Sequence, residues 1–122
     1  MAKFGLLYLN DGEYEGEQVT AVEWVKESLH RHSEGGWISK KLGRYFGDLG
    51  YGFHWWSARV GEHDVDFAWG HGGQMIVLLE EIDMIVVTTA SPLHESAPAD
   101  GWKYEKMIID LVGEFVKSLP SE

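Results

Sequence analysis

Along the chain the spacing of apolar positions switches from helical to alternating and back to helical. Phe4, Leu7 and Tyr8 have helical spacing, and Asn10-Asp11-Gly12 reads as a stop. No capping residue precedes this segment, so the chain is expected to begin inside a helix. Thr20-Ala21-Val22-Glu23 fits a capping box, in which hydroxyl and carboxylate satisfy free backbone donors reciprocally. Val22, Val25 and Leu29 then share one face, with Trp24 beside it, and His30 and His32 suit the negative end of the helix. Ser33 to Gly50 holds Gly35-Gly36, Gly43, Gly47 and Gly50 and reads as a loop. From Tyr51 the period becomes two. Tyr51, Phe53 and Trp55 fall on one face, His54 and Trp56 on the other. Gly61-Glu62-His63-Asp64 is a turn, after which Val65, Phe67 and Trp69 alternate with Asp66 and Ala68.

Two further strands are expected over Gln74–Glu80 and Asp83–Ala90, joined around Glu80-Glu81. Met75–Leu79 and Met84–Val87 are apolar at every position, and such strands want cover on both faces of the sheet. The spacing predicts a last helix from Trp102 to Leu119, with Tyr104, Ile108, Leu111, Val112, Phe115 and Leu119 as its buried stripe. The order is helix, helix, antiparallel strands, helix. That is an α+β pattern, an antiparallel meander with packed helices. No repeat or linker interrupts it, so residues 1–122 are taken as a single domain.

Composition sharpens this picture. At 122 residues and 44% hydrophobic content the chain can bury a core, and six Trp, five Tyr and five Phe should carry much of it. The formal net charge of −10 disfavours phosphate backbones and anionic membranes as partners. The expectation is a soluble acidic protein. With no cysteine, disulfides, thiol catalysis and zinc–thiolate sites are excluded. Met1 is not followed by a basic start and a long apolar run, so no signal peptide is read, and the compartment stays open. No cofactor is implied.

Gly70-His71-Gly72-Gly73-Gln74 is the most informative run. Glycine weakens a strand unless another backbone or a ligand must approach closely. Two readings follow: a bulge at a strand start, or a strand edge left bare for something to dock. Other candidates are weaker. His30 and His32, two apart on a helix, would not face each other. His54, His63 and His71 with Asp64 and Asp66 could meet at a metal if the strands lie side by side, but no ligand spacing marks one. Lys40-Lys41 is an isolated basic pair. No Gly-x-Ser-x-Gly is present.

The sequence resembles the serine β-lactamase and penicillin-binding-protein family, especially its esterase-like and class C branches. The resemblance begins at Met1–Gly12, continues through Gln18-Val19 and Trp24-Val25, and strengthens in Tyr51–Trp56, Trp69–Gln74 and Asp83–Val87. It implies that His71-Gly72-Gly73 matches the family's Lys-Thr-Gly triplet, carried on a sheet-edge strand beside the nucleophile. His71 would then set site electrostatics and proton transfers, Gly72 and Gly73 would bind substrate, and the backbone N–H of Gln74 would supply half of an oxyanion hole. Histidine in place of lysine serves only while suitably protonated. It favours an esterase, amidase or peptidase-like relative over a β-lactamase.

The same resemblance requires a Ser-x-x-Lys nucleophile. None of Ser28, Ser33, Ser39, Ser57, Ser91, Ser96 and Ser118 has a lysine three residues on, and Ser121 ends too near the terminus. Tyr8-Leu9-Asn10 copies the family's Tyr-x-Asn letters in the wrong segment, and Tyr8 reads as a core residue. Two expectations result. The chain is a C-terminal part of such a hydrolase, inactive alone, and acting on a small acyl substrate only within a full-length parent. Alternatively it is a non-catalytic binding or self-assembling module, because apolar strands without their cover associate. A homodimer or higher oligomer is expected.

Overall fold

The computed structural model describes residues 1–34, 42–91 and 101–121. In chain order the elements are α1 (Ala2–Leu9), β1 (Glu13–Tyr14), β2 (Glu17–Gln18), α2 (Val22–Leu29), β3 (Ser33–Glu34), β4 (Gly47–Tyr51), β5 (Trp56–Val60), β6 (His63–Gly70), β7 (Gln74–Leu79), β8 (Met84–Thr88) and α3 (Gly101–Ser118). β1 and β2 form a small hairpin. The other strands form one sheet in the order β3-β4-β5-β6-β7-β8, each antiparallel to its neighbour. This is the α+β meander that the sequence pattern requires. Gly35-Gly36 and Lys40-Lys41 lie outside the described residues.

Alternation decides the faces. Val65 and Phe67 on β6, and Met75, Val77 and Leu79 on β7, pack with Ile109, Val112 and Val116 of α3. Ile76 and Leu78 point the other way and meet Tyr8, Val25 and Trp55 beneath α1 and α2. Met75 to Leu79 are therefore buried on both faces. At the sheet edge, β8 stays half-buried along its length. α1 reaches β7 and β8 because residue 5 is glycine: a Cβ there would stand 2.8 Å from the Ile76 Cγ2.

Six expectations are corrected. Ser33–Glu34 and residues 47–50, read as loop, belong to β3 and β4, and His63 and Asp64, read as part of a turn, open β6. α2 begins after Ala21 rather than Thr20, and no side chain caps it. His30 is already extended, so the imidazoles lie beyond the helix. The run from Tyr51 to Trp56 is not one strand. Gly52-Phe53-His54-Trp55 is a hairpin turn, closed by Gly52 N–H donating to the Trp55 carbonyl at 2.7 Å, with His54 at φ +67°. Because this turn is made of aromatics, its letters mimic an alternating strand. Finally, the buried stripe of α3 is turned by about one position. Glu105, Ile109, Val112 and Val116 face the sheet, while Leu111 and Phe115 face outward. Both stripes have helical spacing, and only contact with the sheet chooses between them.

Candidate functional site

Consecutive antiparallel strands put alternate turns at opposite ends of a sheet. The β4–β5 turn (52–55), the β6–β7 turn (71–73) and the end of β8 share one end. The β5–β6 turn at Gly61-Glu62 and the short 3-10 turn Glu80–Ile82 lie at the other. His63 opens β6, and His71 follows its last residue. An eight-residue strand spans roughly 26 Å. His63 is therefore far from His71, so the two do not meet in the weaker His/Asp arrangement considered above. His63 is buried, with Nε2 3.0 Å from the Leu119 carbonyl. A carbonyl only accepts, so Nε2 carries the proton and ties β6 to the end of α3.

His71, Gly72 and Gly73 occupy the β6–β7 turn, between two interior strands rather than on a sheet-edge strand. Gly70 and Gln74 are register partners at its base, and Gln74 is the first residue of β7. Gly72 and Gly73 have φ of +94° and +98°, the left-handed region that side chains avoid. Gly73 is also held close to α3: a Cβ would stand 2.7 Å from Ile108 Cδ1. Both glycines thus have a structural cause. From β8, the Thr88 hydroxyl donates to the Gly73 carbonyl at 2.7 Å. The turn is fixed from two sides while the His71 side chain projects, 85% exposed.

Behind His71 is a residue that periodicity did not flag. Glu105 is 2% exposed on the sheet-facing side of α3. Its Oε1 accepts a hydrogen bond from Trp69 Nε1–H at 2.7 Å, and its Oε2 lies 3.6 Å from His71 Nδ1. Trp69 is flanked by Trp56 and Trp102, each ring centroid 6.1 Å away. The available signal was a lone carboxylate at helical spacing with Ile109, Val112 and Val116.

At the same end, Trp24, Tyr51, Gly52, Phe53 and His54 line an open hollow of about 400 Å³. Trp24 stacks on Phe53 at 5.8 Å, and Phe53 on His32 at 4.3 Å. His32 and His30 do meet, their rings 5.1 Å apart, because both lie past the helix end. His32 Nε2 is 2.9 Å from the Glu27 carbonyl and 3.2 Å from its carboxylate. Among the described residues no group of three or more His, Asp or Glu side chains could hold a metal. No helix among them is long and apolar enough to cross a membrane.

The opposite face of β6 carries the clearest electrostatic perturbation among the described residues. Burial pushes the Asp66 carboxyl up to about 6, assisted by the negative charges of Glu80 and Asp64. It lies beside a cleft of about 270 Å³ that also meets Arg31, Asp48, Asp64 and Glu80. Arg31 is already engaged there, with Ser57 Oγ at 3.2 Å and with the carboxylates of Asp48 and Glu34 at 3.0 and 3.2 Å.

No protein-family model and no curated protein sequence matches the chain. A solved structure titled "Putative 6-aminohexanoate-dimer hydrolase from Bacillus anthracis" is similar to it, with a TM-score of 0.58 and 22% identity over 98% of this chain. The chain spans 29% of that structure's length. The similarity shows a shared α+β fold over this portion of that structure.

Proposed function

We propose that this chain forms one wall of an acyl-transfer site of the β-lactamase-like hydrolases, with His71 and the Gln74 backbone N–H as its functional groups. The observation that carries the reading is the β6–β7 turn. An exposed imidazole projects from a backbone fixed by Thr88 and packed on α3, within a fold that matches part of such a hydrolase. Donors on rigid backbone are what stabilises charge developing on a carbonyl oxygen. His71-Gly72-Gly73 takes the place of Lys-Thr-Gly; Gly72 would leave room for a substrate backbone to approach, whereas the space beside Gly73 is taken by Ile108.

The chain contains no Ser-x-x-Lys, so these 122 residues alone should not turn over substrate. Purified chain with a chromogenic β-lactam or a p-nitrophenyl ester is expected to show no hydrolysis above buffer. Turnover abolished by His71→Ala would overturn the inactive-wall reading. An amide probe tests the wall itself, and the linear 6-aminohexanoate dimer is apt because the similar structure is named for hydrolysing it. Amide NMR shifts on titration should concentrate at residues 71–74 and 52–55. Shifts centred elsewhere would move the site.

A second reading is self-assembly, favoured by one observation. Met107, Leu111 and Phe115 form a continuous apolar stripe on the outer face of α3, 61%, 66% and 47% exposed. Exposed stripes of this kind mark association surfaces. The partner in this reading is a second copy of this chain, and light scattering at tens of micromolar, a range suited to modest self-association, should show a dimer or larger species.

A further inference from the structure

We propose that Glu105 is a positioning residue that fixes the tautomer of His71. Its carboxylate holds the proton on Nδ1, so that Nε2 is the atom the turn presents outward. The inference deepens the reading of His71 as part of the site wall and rests on it for its functional meaning, though not for its test.

The geometry supplies the reasons. Glu105 sits in the interior at 2% exposure, and an interior carboxylate is costly unless hydrogen bonds or opposite charge offset its lost hydration. Trp69 Nε1–H occupies one oxygen at 2.7 Å, which sets the plane of the group. The other oxygen points towards the β6–β7 turn and lies 3.6 Å from His71 Nδ1. That is a few tenths beyond hydrogen-bond length. The imidazole is 85% exposed and can close the gap by a small side-chain rotation. Trp69 is packed between Trp56 and Trp102, so the carboxylate turns away only by giving up the indole bond.

A carboxylate accepts hydrogen bonds and donates none, so the ring nitrogen facing it is the one carrying hydrogen. A neutral imidazole has a single N–H. With Nδ1 protonated, Nε2 is left with its lone pair directed at solvent, and which nitrogen holds the proton is set by the partner of the other. The consequence separates this turn from one carrying lysine. Lysine only donates. The Glu105–His71 pair offers an acceptor when neutral and a donor when protonated. Toward the neutral imidazole, the group it meets on a substrate is therefore a hydrogen-bond donor, such as an amide N–H or an ammonium.

Long-range ¹H–¹⁵N correlation spectra of ¹⁵N-labelled protein at pH 8, where an ordinary imidazole is neutral, read the tautomer directly. In the wild-type chain the His71 Nδ1 resonance should fall in the protonated range and Nε2 in the unprotonated range. In Glu105→Gln the amide NH₂ can donate to Nδ1, and the two resonances should exchange ranges. His63 is the internal control: its Nε2–H is tied to the Leu119 carbonyl, and its pattern should stay unchanged in a folded variant. If Glu105→Gln does not fold, Trp69→Phe removes the indole bond that orients the carboxylate, and the Nδ1–H population of His71 should fall relative to wild type; an unchanged population would count against the positioning role. A wild-type His71 in the Nε2–H form overturns the proposal without any variant. The measurement is independent of turnover, so a failed hydrolase reading leaves the tautomer result standing, and the converse also holds.

Discussion

Asp66 shows how a single buried carboxylate can act on the whole chain. Folded, it keeps its proton up to about pH 6. Unfolded, it should release it near the usual aspartate value of about 4. Between those values the native state binds more protons, so stability falls as pH rises and the loss is complete above the window. A shift of about two units corresponds to roughly 3 kcal/mol at most, and partial solvent access lowers that to about 2. Asp66→Asn should therefore stabilise the protein at pH 7.5 by about 2 kcal/mol and flatten its urea midpoint between pH 4 and 6. An unchanged midpoint would mean that the carboxyl is not desolvated. Gly73 is the opposite case. With φ at +98° and Ile108 at 2.7 Å from a built Cβ, Gly73→Ala should cost about 2 kcal/mol or more in urea unfolding. A neutral result would show that the turn is not held against α3. That glycines interrupt this segment was legible in the sequence. That they lie in a turn between interior strands was not, because a glycine letter does not distinguish a bulge, a bare edge and a tight turn.

At the scale of elements, α3 separates periodicity from burial. Its letters support two overlapping stripes one residue apart, and the sheet selects Ile109, Val112 and Val116. Ile109→Ala should cost about 2–5 kcal/mol, the range for deleting a buried aliphatic side chain. Leu111→Lys should change monomer stability by less than about 0.5 kcal/mol, as exposed substitutions do. Chemical denaturation of both variants decides between the stripes, and the reverse ranking would restore the one read from spacing. The β6 alternation was legible because one of its faces is apolar and the other carries Asp64 and Asp66. The β4–β5 hairpin was not, because its turn is built from Gly52, Phe53, His54 and Trp55 rather than the usual polar turn residues. Trp55 nevertheless has a core role, packed at 4.8 Å from the Tyr8 ring.

For the whole molecule, the apolar surface differs from what the strands alone led one to expect. β7 is covered on both faces, and most of the large exposed apolar side chains among the described residues lie instead on helix faces and the β4–β5 turn, Phe4, Trp24, Phe53 and Leu111 among them. If α3 pairs with a second copy, Leu111→Lys should shift the species seen by sedimentation velocity to monomer while leaving the fold intact. A wild-type monomer at tens of micromolar would remove that reading. The sequence by itself determined the α+β class, the antiparallel meander and the absence of Ser-x-x-Lys. Period, apolar runs and letter spacing are local properties and survive without coordinates. Only the tertiary structure decided which face of α3 is buried, that His63 and His71 stand at opposite ends of β6, and that Glu105 lies behind His71. Those are distances between residues far apart in the chain, set by strand register and helix docking, and no local pattern encodes them.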